Sequence, residues 1–517
     1  MFKRTLSLLI GLCMVPLALA AQPQKLKKPR AIVIFYADDL GYHDTSAYGC
    51  DKVPCPNLDR LASQGLVFSD AHSVSSVCTP SRYSLLTGTY AWRRQGMGIL
   101  PGDAKLILPV KGEALTLPAL MQRAGYRTAA MGKWHLGLGR GKQPTDWNKP
   151  VSPSPREVGF DESFIMAATG DRVPCVFIRN GEVVGGDPAD PIRVNYEPNF
   201  RFPGELVAAD LSPAELNKVM KPWGRSADKQ HDKTIIDGIS RIGHMQGGAK
   251  ALWKDQDIAD SINRAAADFI RRSAGKPIFL YFCTNDIHVP RDPHPRHRGK
   301  SQLGIRGDVT VQMDDSLGAV RAALAKAGYK PEETLFIFTS DNGPVISDGY
   351  LDGAQKECEG HNPAAPFSGG KYTLREGGTR MPFIVSWPGV VKPGESKALI
   401  SQVDLARSLA ALVGAKIPEG QMLDSENQLA ALLGRDAQGR KELVEHNWGT
   451  TLALRSGSMK LMPRKGGGWE LYDVEADPAE EHDLSAQQPQ VVKKMQQRIR
   501  EIKAQNGGTG LPMWGDK

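Results

Sequence analysis

The sequence predicts an α/β fold: a doubly wound, mostly parallel sheet with a smaller C-terminal α+β subdomain. Three observations lead there. Short apolar runs lack polar alternation, as strands covered on both faces must. Helical patterns separate those runs. Each of four runs ends in a polar cluster, and open α/β sheets bind ligands beyond the carboxyl ends of their strands.

The strand candidates are 31–37 (AIVIFYA), 127–131 (RTAAM), 278–283 (IFLYFC), 334–339 (TLFIFT) and 382–387 (PFIVSW), all read as parallel. Helices are expected at 56–65, 115–125, 258–274, 309–328 and 404–414. Residues from about 140 to 255 break the rhythm with Pro, Gly and charge, and carry a hairpin around Asn180-Gly181. This stretch reads as an insertion over the catalytic face. Short antiparallel strands at 451–454, 460–462 and 470–472 and an amphipathic helix at 491–504 make the C-terminal unit. The expected division is a signal peptide at 1–20, a catalytic domain at 21–439 and a subdomain at 440–517.

The first segment is expected to be removed. Lys3 and Arg4 precede an uncharged run ending in Ala18-Leu19-Ala20, the three-part pattern of a secretory signal. The reading is a secreted or periplasmic protein with no membrane span after cleavage. Removal lowers the net charge from +8 to +6. A mildly basic exported chain is drawn to anionic partners such as sulfated glycans. With no zinc finger, RNP signature or basic helix, nucleic acid is not expected. Export permits disulfides, and Cys50 and Cys55 are placed for a pair across their turn.

The polar clusters are Asp38-Asp39, Gly132-Lys133-Trp134-His135, Asn285-Asp286-Ile287-His288 and Ser340-Asp341-Asn342-Gly343. Asp38, Asp39, Asp341 and Asn342 offer only hard oxygen donors, which suit Ca²⁺ or Mg²⁺ better than zinc. Turn and cap roles are the alternative for each pair alone. Cys78 opens a short helix with Pro80 in its first turn and Gly88 at its end. A helix N-terminus beside Arg82 favours an anion and would lower a thiol pKa.

The run Cys78-Thr79-Pro80-Ser81-Arg82, followed by YSLLTG, resembles the Cys-x-Pro-Ser-Arg signature of the type I sulfatases, arylsulfatase-like enzymes that oxidise this Cys to formylglycine. The resemblance covers nearly the whole chain. It implies the alkaline-phosphatase-like α/β core and sulfate monoester hydrolysis. It implies Ca²⁺ on Asp38, Asp39, Asp341 and Asn342, with residue 78 as a further ligand and Arg82 stabilising it. Lys133 and His135 match the Gly-Lys-Trp-His segment, His288 the Asp-x-His-x-Pro segment, and Lys371 the Gly-Gly-Lys segment.

The chemistry so implied runs as follows. Ca²⁺, Lys133 and Lys371 neutralise the sulfate oxygens. One hydroxyl of the hydrated aldehyde at position 78 attacks sulfur, and the other later expels sulfate. His135 handles the nucleophile's proton, and His288, helped by Lys371, protonates the leaving alcohol. A formylglycine-generating or anaerobic maturating enzyme is the required partner. Among substrates the resemblance favours O-sulfated glycans, leaning to galactose or N-acetylgalactosamine esters. Asp171, Arg172 and His231 in the insertion are the expected sugar contacts, because carboxylates and guanidinium groups bind hydroxyls bidentately. Two other readings stay open: a phosphomonoester or phosphonate hydrolase of the same fold, and a catalytically silent glycan-binding protein with Cys78 unmodified.

Overall fold

The computed structural model describes residues 26–94, 97–449 and 451–505. The expected signal peptide lies outside them. Among the described residues no helix is long and apolar enough to cross a membrane.

A ten-stranded sheet forms the centre. Its strands in chain order are β1 (Ala31–Ala37), β2 (Leu66–Phe68), β3 (Arg127–Lys133), β4 (Glu162–Met166), β5 (Phe177–Arg179), β6 (Glu182–Val183), β7 (Ile278–Cys283), β8 (Thr334–Ser340), β9 (Phe383–Ser386) and β10 (Gly394–Ser396). In space they run β10-β2-β9-β8-β1-β7-β3-β4-β5-β6. The five strands β8, β1, β7, β3 and β4 are parallel. Every residue of β1, β7 and β8 is buried, which explains their unbroken apolar sequence. Phe35 stacks on Phe282 at 5.0 Å and on Phe338 at 5.7 Å across three neighbouring strands. Each such ring removed from water contributes roughly 1.5–3 kcal/mol.

Two expectations are corrected here. The run at 382–387 forms β9, which is antiparallel to both β8 and β2. Burial on both faces erases polar alternation whichever way a strand points. The hairpin around Asn180-Gly181 is β5–β6, but it extends the central sheet beside β4. The 140–255 segment therefore supplies core strands before it reaches the catalytic face.

Helices cover the sheet in two sets. The helices α1 (Pro56–Ser63), α4 (Ile258–Arg272) and α5 (Gly304–Lys326) pack together, as do α2 (Cys78–Thr87), α3 (Leu117–Arg123) and α6 (Leu405–Val413). That is the doubly wound arrangement. Helix α2 is buried along all ten residues, and Gly88 closes it at φ 62°. A Cβ at Gly88 would meet Met422 at 2.8 Å, so both backbone and space demand glycine.

Past residue 440 the chain makes a second, antiparallel sheet of β11 (Glu442–His446), β12 (Leu452–Ser456), β13 (Met459–Pro463) and β14 (Trp469–Asp473), with α7 (Pro489–Ala504) packed on it. Strand β11 has no counterpart among the expected elements. Leu443, Val444, Leu454 and Ile499 share an apolar cluster with Val74, Tyr90 and Trp92 of the larger unit.

A buried charge network crosses the same junction. His72 bridges Asp70 and Glu445 at 2.8 Å each. Lys460 pairs with Glu376 at 2.8 Å and Glu445 at 3.1 Å. Arg455 reaches Asp70 at 3.2 Å, and Arg380 reaches Glu376 at 2.9 Å. Burial pulls the His72 pKa down, but its two carboxylate partners outweigh burial and raise it. Cys50 and Cys55 are both buried and free, so the expected pair is not formed.

Candidate active site

The parallel strands deliver their polar ends to one place. Asp38 and Asp39 follow β1, Lys133 ends β3, and Asp341 and Asn342 follow β8. Asp39 and His135 both take left-handed backbone conformations, at φ 55° and 56°. Such non-glycine outliers concentrate where a chain must aim a side chain against local preference. Gly132, at φ 95°, lets β3 turn there; a Cβ would lie 1.8 Å from the Cys283 carbonyl oxygen.

The carboxylates meet. Lys133 Nζ donates to both oxygens of Asp38 at 2.6 Å. Arg82 donates to Asp341 Oδ2 from Nε at 3.0 Å and Nη2 at 2.7 Å, and lies 3.8 Å from Asp38. The Asp39 amide donates to Asp341 Oδ1 at 3.3 Å, and Asn342 Nδ2 donates to Asp39 Oδ1 at 2.7 Å. Lys371 Nζ lies 2.9 Å from both Asp39 and Asp348. Burial pushes the Asp38 pKa up to about 8, against the pull of Lys133. Asp39 is buried too, but Lys371 and Lys133 bring it below the ordinary range.

Two tests bear on a metal. Atoms of Asp38, Asp39 and His288 lie within 4.8 Å of one another, close enough to share an ion. Asn342 Oδ1 is buried and accepts no hydrogen bond among the described residues, an unusual cost for an amide oxygen. The Asp38 and Asp39 carboxylates with this unsatisfied carbonyl suit a hard divalent cation, and His288 adds one nitrogen to the group. A second group of this kind, Asp70, His72 and Glu376, already has cationic partners in the domain junction.

Cys78 begins α2, with its Sγ 3.2 Å from His135 Nδ1. His135 Nε2 faces the Leu100 carbonyl at 2.9 Å. That nitrogen must carry the proton, which leaves Nδ1 to accept from residue 78. His288 is the mirror case. Its Nδ1 donates to the Val289 carbonyl at 2.7 Å, and its bare Nε2 lies 3.9 Å from Asp39. Burial, then nearby lysine charge, depresses both imidazoles well below the ordinary histidine range.

The expected low thiol pKa is overturned: burial raises the Cys78 pKa despite Lys133 and Lys371. Arg82, one turn along the same helix as Cys78, donates to Asp341 and to the Lys133 carbonyl. It steadies a carboxylate.

Cys78, Asp171, Arg172, His231, His288 and Lys371 line one cavity of about 630 Å³. Arg172 holds Asp171 at 2.6 and 2.7 Å, and His231 Nε2 lies 3.4 Å from Asp171. The sequence did not point to six further wall residues: Gly98, Ile99, Gln230, Asp348, Tyr372 and Trp448. Tyr372 follows Lys371 directly, which was the single available signal; the others stand in loops without a motif.

This constellation defines a hydrolase of anionic esters, and comparison with known proteins gives its class. The Sulfatase family model matches residues 30–415, and the model described as N-sulphoglucosamine sulphohydrolase, C-terminal, matches residues 370–505. The chain belongs to the sulfatase family and is a sulfate ester hydrolase.

It is 45% identical over 495 residues to N-acetylgalactosamine-6-O-sulfatase of Bacteroides thetaiotaomicron, covering 93% of this chain and 94% of that one. It is 31% identical to human arylsulfatase A, covering 83% of this chain and 72% of that one. A solved structure from work on glycosaminoglycan metabolism by Bacteroides thetaiotaomicron superposes with a TM-score of 0.86 at 44% identity, covering 92% of this chain and 99% of that one.

Proposed function

We propose that the chain is an exported sulfatase that removes O-sulfate from glycans, with N-acetylgalactosamine 6-sulfate as the preferred ester. One observation carries the reading. Cys78 shares a cavity with two histidines, two cationic side chains and two carboxylates, beside a nest of oxygen donors. The 45% identity to a sulfatase named for that sugar supports the choice of ester.

Asp38, Asp39, Asp341 and Asn342, together with residue 78, would hold Ca²⁺; when bound, the ion supplies Lewis-acid polarisation of the sulfate oxygens. Formylglycine at position 78, made by a maturating enzyme, supplies the nucleophilic hydroxyl. The remaining steps belong to side chains of this chain. Lys133 and Lys371 oppose the negative charge of the sulfo group in a site shielded from water. His135 Nδ1 takes the proton from residue 78. Burial and then lysine charge keep His288 neutral; the anionic ester offsets the lysine part, so its Nε2 can take up a proton and pass it to the leaving oxygen. Asp171, Arg172 and His231 hold the hydroxyls of the sulfated sugar.

The test joins two measurements. The mass of the peptide carrying position 78 should fall below that of the cysteine form. Sulfate should be released from N-acetylgalactosamine 6-sulfate faster than from its 4-sulfate. His288→Ala should lose about 10²–10⁴-fold on the sugar ester, and less on an activated aryl sulfate. An unmodified Cys78 with no sulfate released, or faster phosphate than sulfate release, would overturn the proposal.

A further inference from the structure

Six large apolar side chains are exposed among the described residues: Val184, Leu206, Val219, Leu351, Tyr372 and Trp448. The two aromatic ones both line the Cys78 cavity. Trp448 is 61% exposed and Tyr372 38%. Leaving two rings in water at a cavity wall forgoes the burial that aromatic side chains ordinarily gain, so a ligand that covers them would recover it.

Both rings stand on anchored backbone, and Tyr372 is also held by its hydroxyl. Tyr372 has a left-handed backbone, φ 75°, a costly state for a bulky residue. Its amide donates to the Ser76 carbonyl at 3.0 Å, and its hydroxyl donates to Asp348 at 3.0 Å. Asp348 is fixed in turn by Lys371 at 2.9 Å. Trp448 follows β11, whose end is bonded to the segment leading into α2. The His446 amide donates to the Val74 carbonyl at 3.0 Å, the Ser76 amide to the His446 carbonyl at 3.1 Å, and Ser75 Oγ to the Asn447 carbonyl at 3.3 Å. The C-terminal subdomain thus brings an indole to the catalytic cavity in register with residue 78.

The cavity also extends further. Its lining residues Ile99, Arg172 and Gln230 are shared with a neighbouring cavity of about 490 Å³ that neither Trp448 nor Tyr372 lines, so the space at their own wall is that of the cavity of about 630 Å³. There is room beyond a single sulfated ring.

We infer that Trp448 and Tyr372 form a stacking platform for the sugar joined to the sulfated one, making the enzyme selective for oligosaccharides over the free monosaccharide. This rests on the glycan reading above. The division of labour follows from chemistry. Asp171, Arg172 and His231 suit hydroxyls and charge, whereas a pyranose ring presents an apolar C–H face that an aromatic surface covers without any titrating group.

The experiment compares kcat/KM for N-acetylgalactosamine 6-sulfate and for a disaccharide carrying that unit at its non-reducing end. Trp448→Ala should lower the disaccharide-to-monosaccharide ratio by about 3–10-fold, the range of one aromatic contact, mainly through KM. Trp448→Phe should restore most of the ratio, because it restores a ring. A ratio unchanged in Trp448→Ala, or unrestored by Phe, overturns the platform. If the wild type releases sulfate from an aryl ester and from neither saccharide, the glycan reading fails and the platform falls with it.

Discussion

Among the described residues, two buried groups join carboxylates with a histidine, and similar residues serve opposite ends in them. At the domain junction, Asp70, Glu376, Glu445 and Glu480 face Arg380, Arg455, Lys460 and His72, and the ion pairs among them link the two sheets. At the strand ends, Asp38, Asp39 and Asp341 face Arg82, Lys133 and Lys371, but Asn342 Oδ1 is left over, His288 points a bare nitrogen inward, and a cavity opens alongside. The first group also leaves Glu445 Oε2, Glu480 Oε1 and Arg455 Nη1 without a hydrogen bond, but each has an opposite charge at 3.1, 3.7 and 3.6 Å, so its charges are met inside the protein. The second is incomplete on its own, which is what a site awaiting an ion and a substrate requires.

Substitution should separate the two. Asp39→Ala is expected to abolish bound divalent metal, read by elemental analysis of the purified protein. It should also lower kcat/KM by roughly a thousandfold, the several kcal/mol a Lewis-acid ion supplies. Glu376→Gln should leave metal stoichiometry intact. Equal metal loss in both variants would erase the distinction.

Stability should show the reverse order. Lys460→Met strands buried carboxylates and is expected to cost about 3–5 kcal/mol in denaturant unfolding. The double variant Lys460→Met/Glu376→Gln should cost less than the sum of its parts. Additive losses would mean the junction pairs do not act as one network.

The smallest effect is a pH dependence. The His72 pKa is raised in the folded protein, so its imidazolium stabilises the fold fully below its ordinary value of about 6.5. That contribution disappears as pH rises through the folded pKa. Unfolding free energy measured across this window should decline in the wild type relative to His72→Gln. Parallel curves would show that His72 is not a charged bridge.

Much of this was legible in residue order. Runs such as AIVIFYA and TLFIFT announce doubly covered strands, and the polar residues after them fall where parallel strands end. Strand direction was not legible for PFIVSW, because burial on both faces writes the same sequence either way. Strand β11 (ELVEH) escaped notice because Glu445 and His446 look like surface residues; both are fully buried, Glu445 inside the junction network. The thiol shift at Cys78 could not be read from helix position, since burial depends on the whole fold. Trp448 carries no local signal at all. Its meaning comes from residues far away in sequence.

The stitching of β11 to the segment before α2 has a temporal side. His446 lies 368 positions after Cys78, so a ribosome moving at about 5–20 residues per second needs roughly 20–70 s to travel between them. Until then the strand that fastens Val74 and Ser76 does not exist. The segment leading to residue 78, which is 1% exposed in the finished protein, therefore stays unfastened on that side until only about the last seventh of the polypeptide remains to be made.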